Sequence, residues 1–404
     1  MYRTLMTNSN NSCRISDQKA AGRAISRIIL GLSLFLAVGT VWCAETAKIS
    51  MTAAHWKTEG NAEFVQKDGL DSLELRPGNA ASKVKTGSAI LNDFVFSNGT
   101  IEFDVEPTGA MGAGIAFRQH DKDTYEDFYL RPRPNCAEAP DCLQYTPQTH
   151  GVLLWDLFPE YQAPAPLKES GWNHVKLVVS GRRMDVFING TKSPTLKIAS
   201  LEGDTLEGGL MLQGPGIFAN LTVAPGAVAG LSPKPERDRT SADPRYIRHW
   251  EIAPFSTLGN DQEPILSDLP SPMAGWHALT AERGGLVNVS REYGLPLPRP
   301  QRAVVWLKTT VTSGKDQSKK VEIGWNREVW VFVNGTKVYA DKNLYQPPSA
   351  RKTPDGRCSL ENGSFSLPLK AGKNEVVAAV ANNFYGWGII MRLEDTKDVS
   401  LARK

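Results

Sequence analysis

The chain has 404 residues, enough for two or three domains that each bury a core. Charged residues make up 22% and apolar residues 41%, an ordinary balance for a folded protein, which excludes a disordered chain. The formal charge of +3 belongs to the N-terminus: residues 1–44 hold five Lys/Arg and one Asp, and without them 41 basic residues face 42 acidic ones, leaving no basic field for nucleic acid.

Residues 1–44 read as an export signal. Arg14, Lys19, Arg23 and Arg27 precede a nearly continuous apolar run over 28–41, and Cys43-Ala44 supplies small residues for cleavage. The run is shorter than the roughly 20 residues a membrane helix needs, so no membrane span is expected in the mature chain. A periplasmic or extracellular location follows, with surface attachment through Cys43 left open. In that setting Cys136 and Cys142, which bracket a short loop, are expected to form a disulfide, and Cys358 is left single. The sequence has no CxxC, no HExxH and no His cluster, so neither a zinc site nor any cofactor is expected. The loop after His120 carries Asp121 and Asp123, whose oxygens a structural Ca²⁺ could use.

From residue 45 onward, two-residue periodicity is frequent and helical periodicity is scarce, which predicts an all-β chain. In the first expected domain, 45–224, Leu73 and Leu75 alternate around Glu74. Over residues 99–107, Ile101, Phe103 and Val105 take one strand face, and Glu102, Asp104 and Glu106 the other. If Ile115, Phe117, Phe128 and Leu130 point inward, the opposite face carries Arg118, Tyr125, Asp127, Tyr129 and Arg131, with Gln144 and Tyr145 nearby in sequence. Aromatic rings stack on sugars and Arg and Asp hydrogen-bond their hydroxyls, so this face is a candidate saccharide groove. A purely structural ladder of cross-strand pairs is the alternative. His174 lies on a strand and reads as structural.

Residues 183–192 (RMDVFINGTK) return almost unchanged as residues 329–338 (VWVFVNGTKV). Each Asn-Gly predicts a two-residue type I′ hairpin, and the repeat in different surroundings predicts two β domains. Residues 225–245, opening with Pro, Gly and small residues, form the expected linker. The second domain, 246–404, holds Trp325, Trp330, Tyr339, Tyr345, Tyr385 and Trp387. Trp330 falls inside a strand and is expected in the core, whereas Tyr345, Tyr385 and Trp387, in or beside turns, are binding candidates.

The series GTIEFDV, GAGIAFR, WNHVKLVV, VFING and GLMLQGPGIFANLTV over residues 50–224 resembles the concanavalin-A and laminin-G-like jelly-roll superfamily. Within it, the series resembles bacterial exported domains described as 3-keto-disaccharide hydrolases. Residues 246–398, through Trp250, Gly275-Trp276, EVWVFVNGTK and LKAGKNEVVAAVAN, resemble the galactose-binding-like jelly rolls attached to bacterial glycosidases. These resemblances imply two jelly-roll β-sandwiches with an oligo- or polysaccharide ligand. The stretch Glu102-Phe-Asp104-Val-Glu106 also resembles the catalytic strand of laminarinases and lichenases. That match implies Glu102 as nucleophile, Asp104 as its modulator and Glu106 as acid/base, although Phe103 and Pro107 depart from the pattern.

Taken together, the sequence reads as an exported carbohydrate-binding or accessory protein of glycan utilisation, without a catalytic constellation of its own. The alternatives are a glycan hydrolase acting through Glu102 and Glu106 or a related site, and a laminin-G-like module with a protein partner.

Overall fold

The structure is a computed structural model that describes residues 45–109 and 112–402. The expected export signal therefore lies outside the described residues. The fold is all-β, as the period-two patterning predicts, and it consists of two sandwiches. Among the described residues no helix is long and apolar enough to cross a membrane, which says nothing of a β-barrel.

The first sandwich packs two eight-stranded sheets face to face, each a path of seven strands plus one short side strand: Ala47–Lys48 beside Gly216–Pro225, and Gln162–Ala163 beside Leu143–Thr149. In the back sheet the order runs Leu196–Ile198, Arg183–Ile188, Asn173–Ser180, Gly99–Pro107, Gly216–Pro225, Leu70–Leu75, Ala62–Lys67. The front sheet runs Val152–Leu153, Leu143–Thr149, Tyr125–Leu130, Ala113–Gln119, Gly209–Gln213, Ser88–Leu91, Trp56–Glu59. Alternation decides which side chains meet. Ile101, Phe103 and Val105 from the back sheet and Ile115, Phe117, Phe128 and Leu130 from the front sheet are all fully buried in one core. Each such side chain contributes about 1.5–3 kcal/mol by leaving water.

In the second sandwich an eight-stranded sheet centres on Arg302–Ser313, Gly372–Asn382 and Arg327–Val333, and a four-stranded sheet centres on Gly388–Leu393 and Gln317–Trp325. Trp330 is buried as its strand position predicts, but on the sheet face turned away from the other sheet, beside Trp306 and Phe332.

The two Asn-Gly copies behave differently. Asn334 and Gly335 have φ of 47° and 84° and join Arg327–Val333 to Thr336–Asn343 as a two-residue hairpin, with Val333 opposite Thr336. At Asn189-Gly190 the turn also closes, Thr191 donating to the Ile188 carbonyl at 3.2 Å, but pairing resumes only at Leu196, opposite Val186. Pro194 lacks the N–H that an immediate return strand would need. The expected two-residue hairpin is thus corrected there to a longer loop.

The segment 225–245 is not free. Arg182 N–H donates to the Pro233 carbonyl at 3.0 Å, Glu236 N–H to Ala199 at 2.9 Å, and the Arg283 guanidinium to the Glu236 carbonyl at 2.6 Å. Further contacts tie the sandwiches to each other. Cys358, from the second, is fully buried among the core residues of the first, and its N–H donates to the Asp156 carbonyl at 2.8 Å. Cys136 and Cys142 are joined by a disulfide.

Candidate functional site

The strand Tyr125–Leu130 has both faces buried. Glu126, Phe128 and Leu130 point into the core, so Asp127 and Tyr129 emerge on the outer face of the front sheet, followed by Arg131. Opposite Tyr129 on the neighbouring strand stands Gly114. A Cβ there would lie 1.9 Å from the Phe128 carbonyl oxygen, so only glycine permits this approach. The missing side chain leaves a trough between Tyr129 and Gln213.

A loop from the first sandwich and two from the second turn this trough into a cleft of about 290 Å³, lined by Asp127, Tyr129, Arg131, Gln213, Trp155, Tyr345, Phe384 and Tyr385 among others. Trp155 is the pivot. It meets Tyr345 edge-on at 4.9 Å and Tyr385 at 5.6 Å between ring centroids. Phe384 packs edge-on against Tyr385 at 4.6 Å, and the Arg299 guanidinium lies 4.5 Å from the Tyr385 ring centre. The Tyr129 hydroxyl donates to Gln144 Oε1 at 2.9 Å, which fixes its ring.

Among the described residues, Asp127 is the only carboxyl in this lining. It is 2% exposed, and its Oδ1 has no hydrogen-bond partner. Burial pushes its pKa up to about 8, against the opposing effect of the Phe128 backbone N–H. Asp156, next to Trp155, is also raised by burial, to about 7, but its Oδ1 is occupied by the Gly386 N–H at 2.8 Å. Asp127 thus keeps one buried oxygen without a partner, whereas Asp156 ties the two sandwiches together at the cleft.

The structure brings together Asp127, Tyr129, Arg131, Tyr345 and Tyr385 of the expected candidates. Tyr125 shares their sheet face but stands outside the lining, where it packs on Ala116 and Met211 and donates to Gln148 Oε1 at 2.8 Å. Three candidates need correction. Arg118 is fully buried: it is the extra residue of a bulge opposite Gly209 and Leu210, with φ 53°, and donates to the Ser97 and Gly181 carbonyls at 2.7 Å each. The bulge breaks the alternation that placed it on the outer face. Tyr145 points into the core, where it donates to Glu126 Oε2 at 2.5 Å and accepts the Glu202 N–H at 2.7 Å. Trp387 is fully buried in the second sandwich, with its indole N–H donated to the Val380 carbonyl at 3.3 Å.

Glu102, Asp104 and Glu106 do share one strand face, but on the outer side of the back sheet, across the sandwich from the cleft. Each is engaged by a neighbour. Lys176 Nζ lies 3.2 Å from Glu102, His174 Nδ1 2.8 Å from Asp104, and Lys67 Nζ 3.1 Å from Glu106. Burial works against ionised Asp104, but hydrogen bonds from His174 and Asn220 hold it below its ordinary pKa, and the Asp104 bond raises His174 in turn. This is a ladder of cross-strand ion pairs. At the proposed calcium loop, Asp121 Oδ1 accepts the Asp123 N–H at 2.8 Å, and among the described residues no three His, Cys, Asp or Glu side chains cluster within reach of one ion.

Trp155, Phe384, Gln213 and Gly114 escaped the sequence reading. The signal for Trp155 was present in residues 152–161 (VLLWDLFPEY), an apolar run with no alternation around a lone aspartate.

Residues 50–224 match the family model of the 3-keto-alpha-glucoside-1,2-lyase-like domain. No curated protein matches the chain. Among solved structures, a carbohydrate-binding module from Bacillus subtilis is 15% identical, with 41% of this chain and 93% of that one covered and a TM-score of 0.30. Domain 4 of an extracellular arabinanase from Geobacillus stearothermophilus, in complex with arabinotriose, is 11% identical over 43% and 83%, with a TM-score of 0.30. A lichenase from a mouse hindgut metagenome is 9% identical over 45% and 98%, with a TM-score of 0.32. At these TM-scores the likeness decides nothing about ligand or activity.

Proposed function

We propose that the cleft binds one pyranose of a glycoside and that Asp127 is the base in a 1,2-elimination from its 3-keto form. Asp127 carries the reading: a buried carboxyl with an unpartnered oxygen, under an aromatic wall, in a domain that matches a lyase-like family model. The chemistry asks for one base. A ketone at C3 acidifies the C2 hydrogen. Asp127 takes that proton, the electron pair forms the C1=C2 double bond, and the C1–O bond breaks. The departing oxygen then takes a proton from the Asp127 carboxyl or from water. The ketone arrives with the substrate, so this chain performs no oxidation. A base titrating near neutrality suits the step. Two-carboxylate hydrolysis would need a second acid about 5–9.5 Å from the first, and among the described residues the lining has Asp127 as its one carboxyl. In this reading the protein is exported, and the second sandwich supplies the stacking wall.

The test is incubation of the purified chain with a 4-nitrophenyl 3-keto-α-glucoside, following nitrophenol release and the unsaturated sugar by NMR. Turnover that vanishes in Asp127→Asn supports the reading, and turnover that survives in it sinks the role of Asp127. Binding without turnover would instead favour an accessory binding module, the reading that the lone carboxyl in the lining also permits.

A further inference from the structure

The cleft is short of negative charge on one side. Arg131, which lines it, lies 3.2 Å from Asp141 Oδ2, and that same oxygen also serves Arg133 at 2.7 Å and Arg357 at 3.8 Å. One buried carboxylate thus answers three guanidiniums. Arg357 is fully buried behind Trp155, its guanidinium carbon 5.1 Å from the ring centre, and its Nε and Nη2 have no hydrogen-bond partner. Its other acid, Asp355, is shared with Arg351. At the rim, Arg299 stacks on Tyr385 and has no carboxylate partner among the described residues.

Buried charge is costly unless it is paired, and low-dielectric walls concentrate the field of whatever remains unpaired. Guanidiniums match carboxylate, sulfate and phosphate oxygens through parallel N–H donors. We infer that the saccharide bound here carries an anionic substituent, held by Arg131 with the charge of Arg357 behind it. This rests on the saccharide reading above and narrows it to acidic sugars.

The experiment is calorimetric titration of the full chain with methyl α-glucoside, methyl α-glucuronide and glucose 6-sulfate, at about 50 mM and about 500 mM salt. The expected result is that at least one anionic sugar binds about tenfold more tightly than the neutral one at low salt, with the gap narrowing at high salt. Arg131→Gln abolishes that preference, and the exposed Arg299→Gln reduces it. The carboxylate and sulfate arms identify which anion fits. Equal affinity for all three sugars, or equal loss for all three in Arg131→Gln, overturns the inference and leaves the saccharide reading standing. Absence of binding by any of them overturns both.

Discussion

Asp156 Oδ1 accepts the Gly386 N–H at 2.8 Å, so a carboxyl of the first sandwich caps a turn of the second directly beneath the aromatic wall. The cleft exists only because this docking holds. A Cβ at residue 386 would lie 2.5 Å from that oxygen and 2.6 Å from Leu157 Cγ. Gly386→Ala should therefore cost about 1–3 kcal/mol through overpacking, read from denaturant unfolding, and should weaken sugar binding although the residue touches no ligand.

Asp127→Asn should raise stability at alkaline pH. A carboxyl whose folded pKa is about 8, above its unfolded value, costs nothing while protonated in both states. The penalty grows as pH rises from about 4 and levels off above about 8, reaching a few kcal/mol. Melting curves of the variant and the parent should coincide near pH 4 and separate by pH 9, the variant melting higher. Parallel curves at every pH would mean that Asp127 is solvated in the folded protein.

The His174–Asp104 pair gives a bell-shaped profile instead. His174 is raised, so its contribution is full below its unfolded pKa and is lost as pH rises through the folded one. Asp104 is lowered, so its contribution is present above its unfolded pKa and is lost as pH falls through the folded one. Together they favour a window between about pH 4 and 6.5. His174→Gln should lower the melting temperature most near pH 5 and least near pH 9, by a small amount because the pair is partly exposed.

Tyr385→Ala removes a stacking surface and should weaken saccharide binding by about 1–2 kcal/mol, a factor of roughly 5–30. Glu102→Gln, across the sandwich, should leave both binding and turnover unchanged. A loss of turnover in Glu102→Gln alone would move the active site to the back sheet.

The strand alternation of Tyr125–Leu130 is a local property, and from it the outward position of Asp127 and Tyr129 could be read in advance. Arg118 could not be placed this way, because a bulge is decided by the partner strand. The inward turn of Tyr145 depends on Glu126 and Glu202, partners distant in sequence. Tyr345 and Tyr385 were legible as turn aromatics, but nothing local says that they face Asp127 rather than solvent. That juxtaposition is made by the docking of the two sandwiches.

Cys358 turns that docking into a clock. Its thiol is buried in the core of the neighbouring sandwich, and burial raises its pKa well above the usual thiol value, so an alkylating reagent reaches a reactive thiolate only when the halves part. The labelling rate of this one atom times the breathing of the cleft. A sugar that bridges the two walls would slow it, reporting occupancy without any change in the sugar itself.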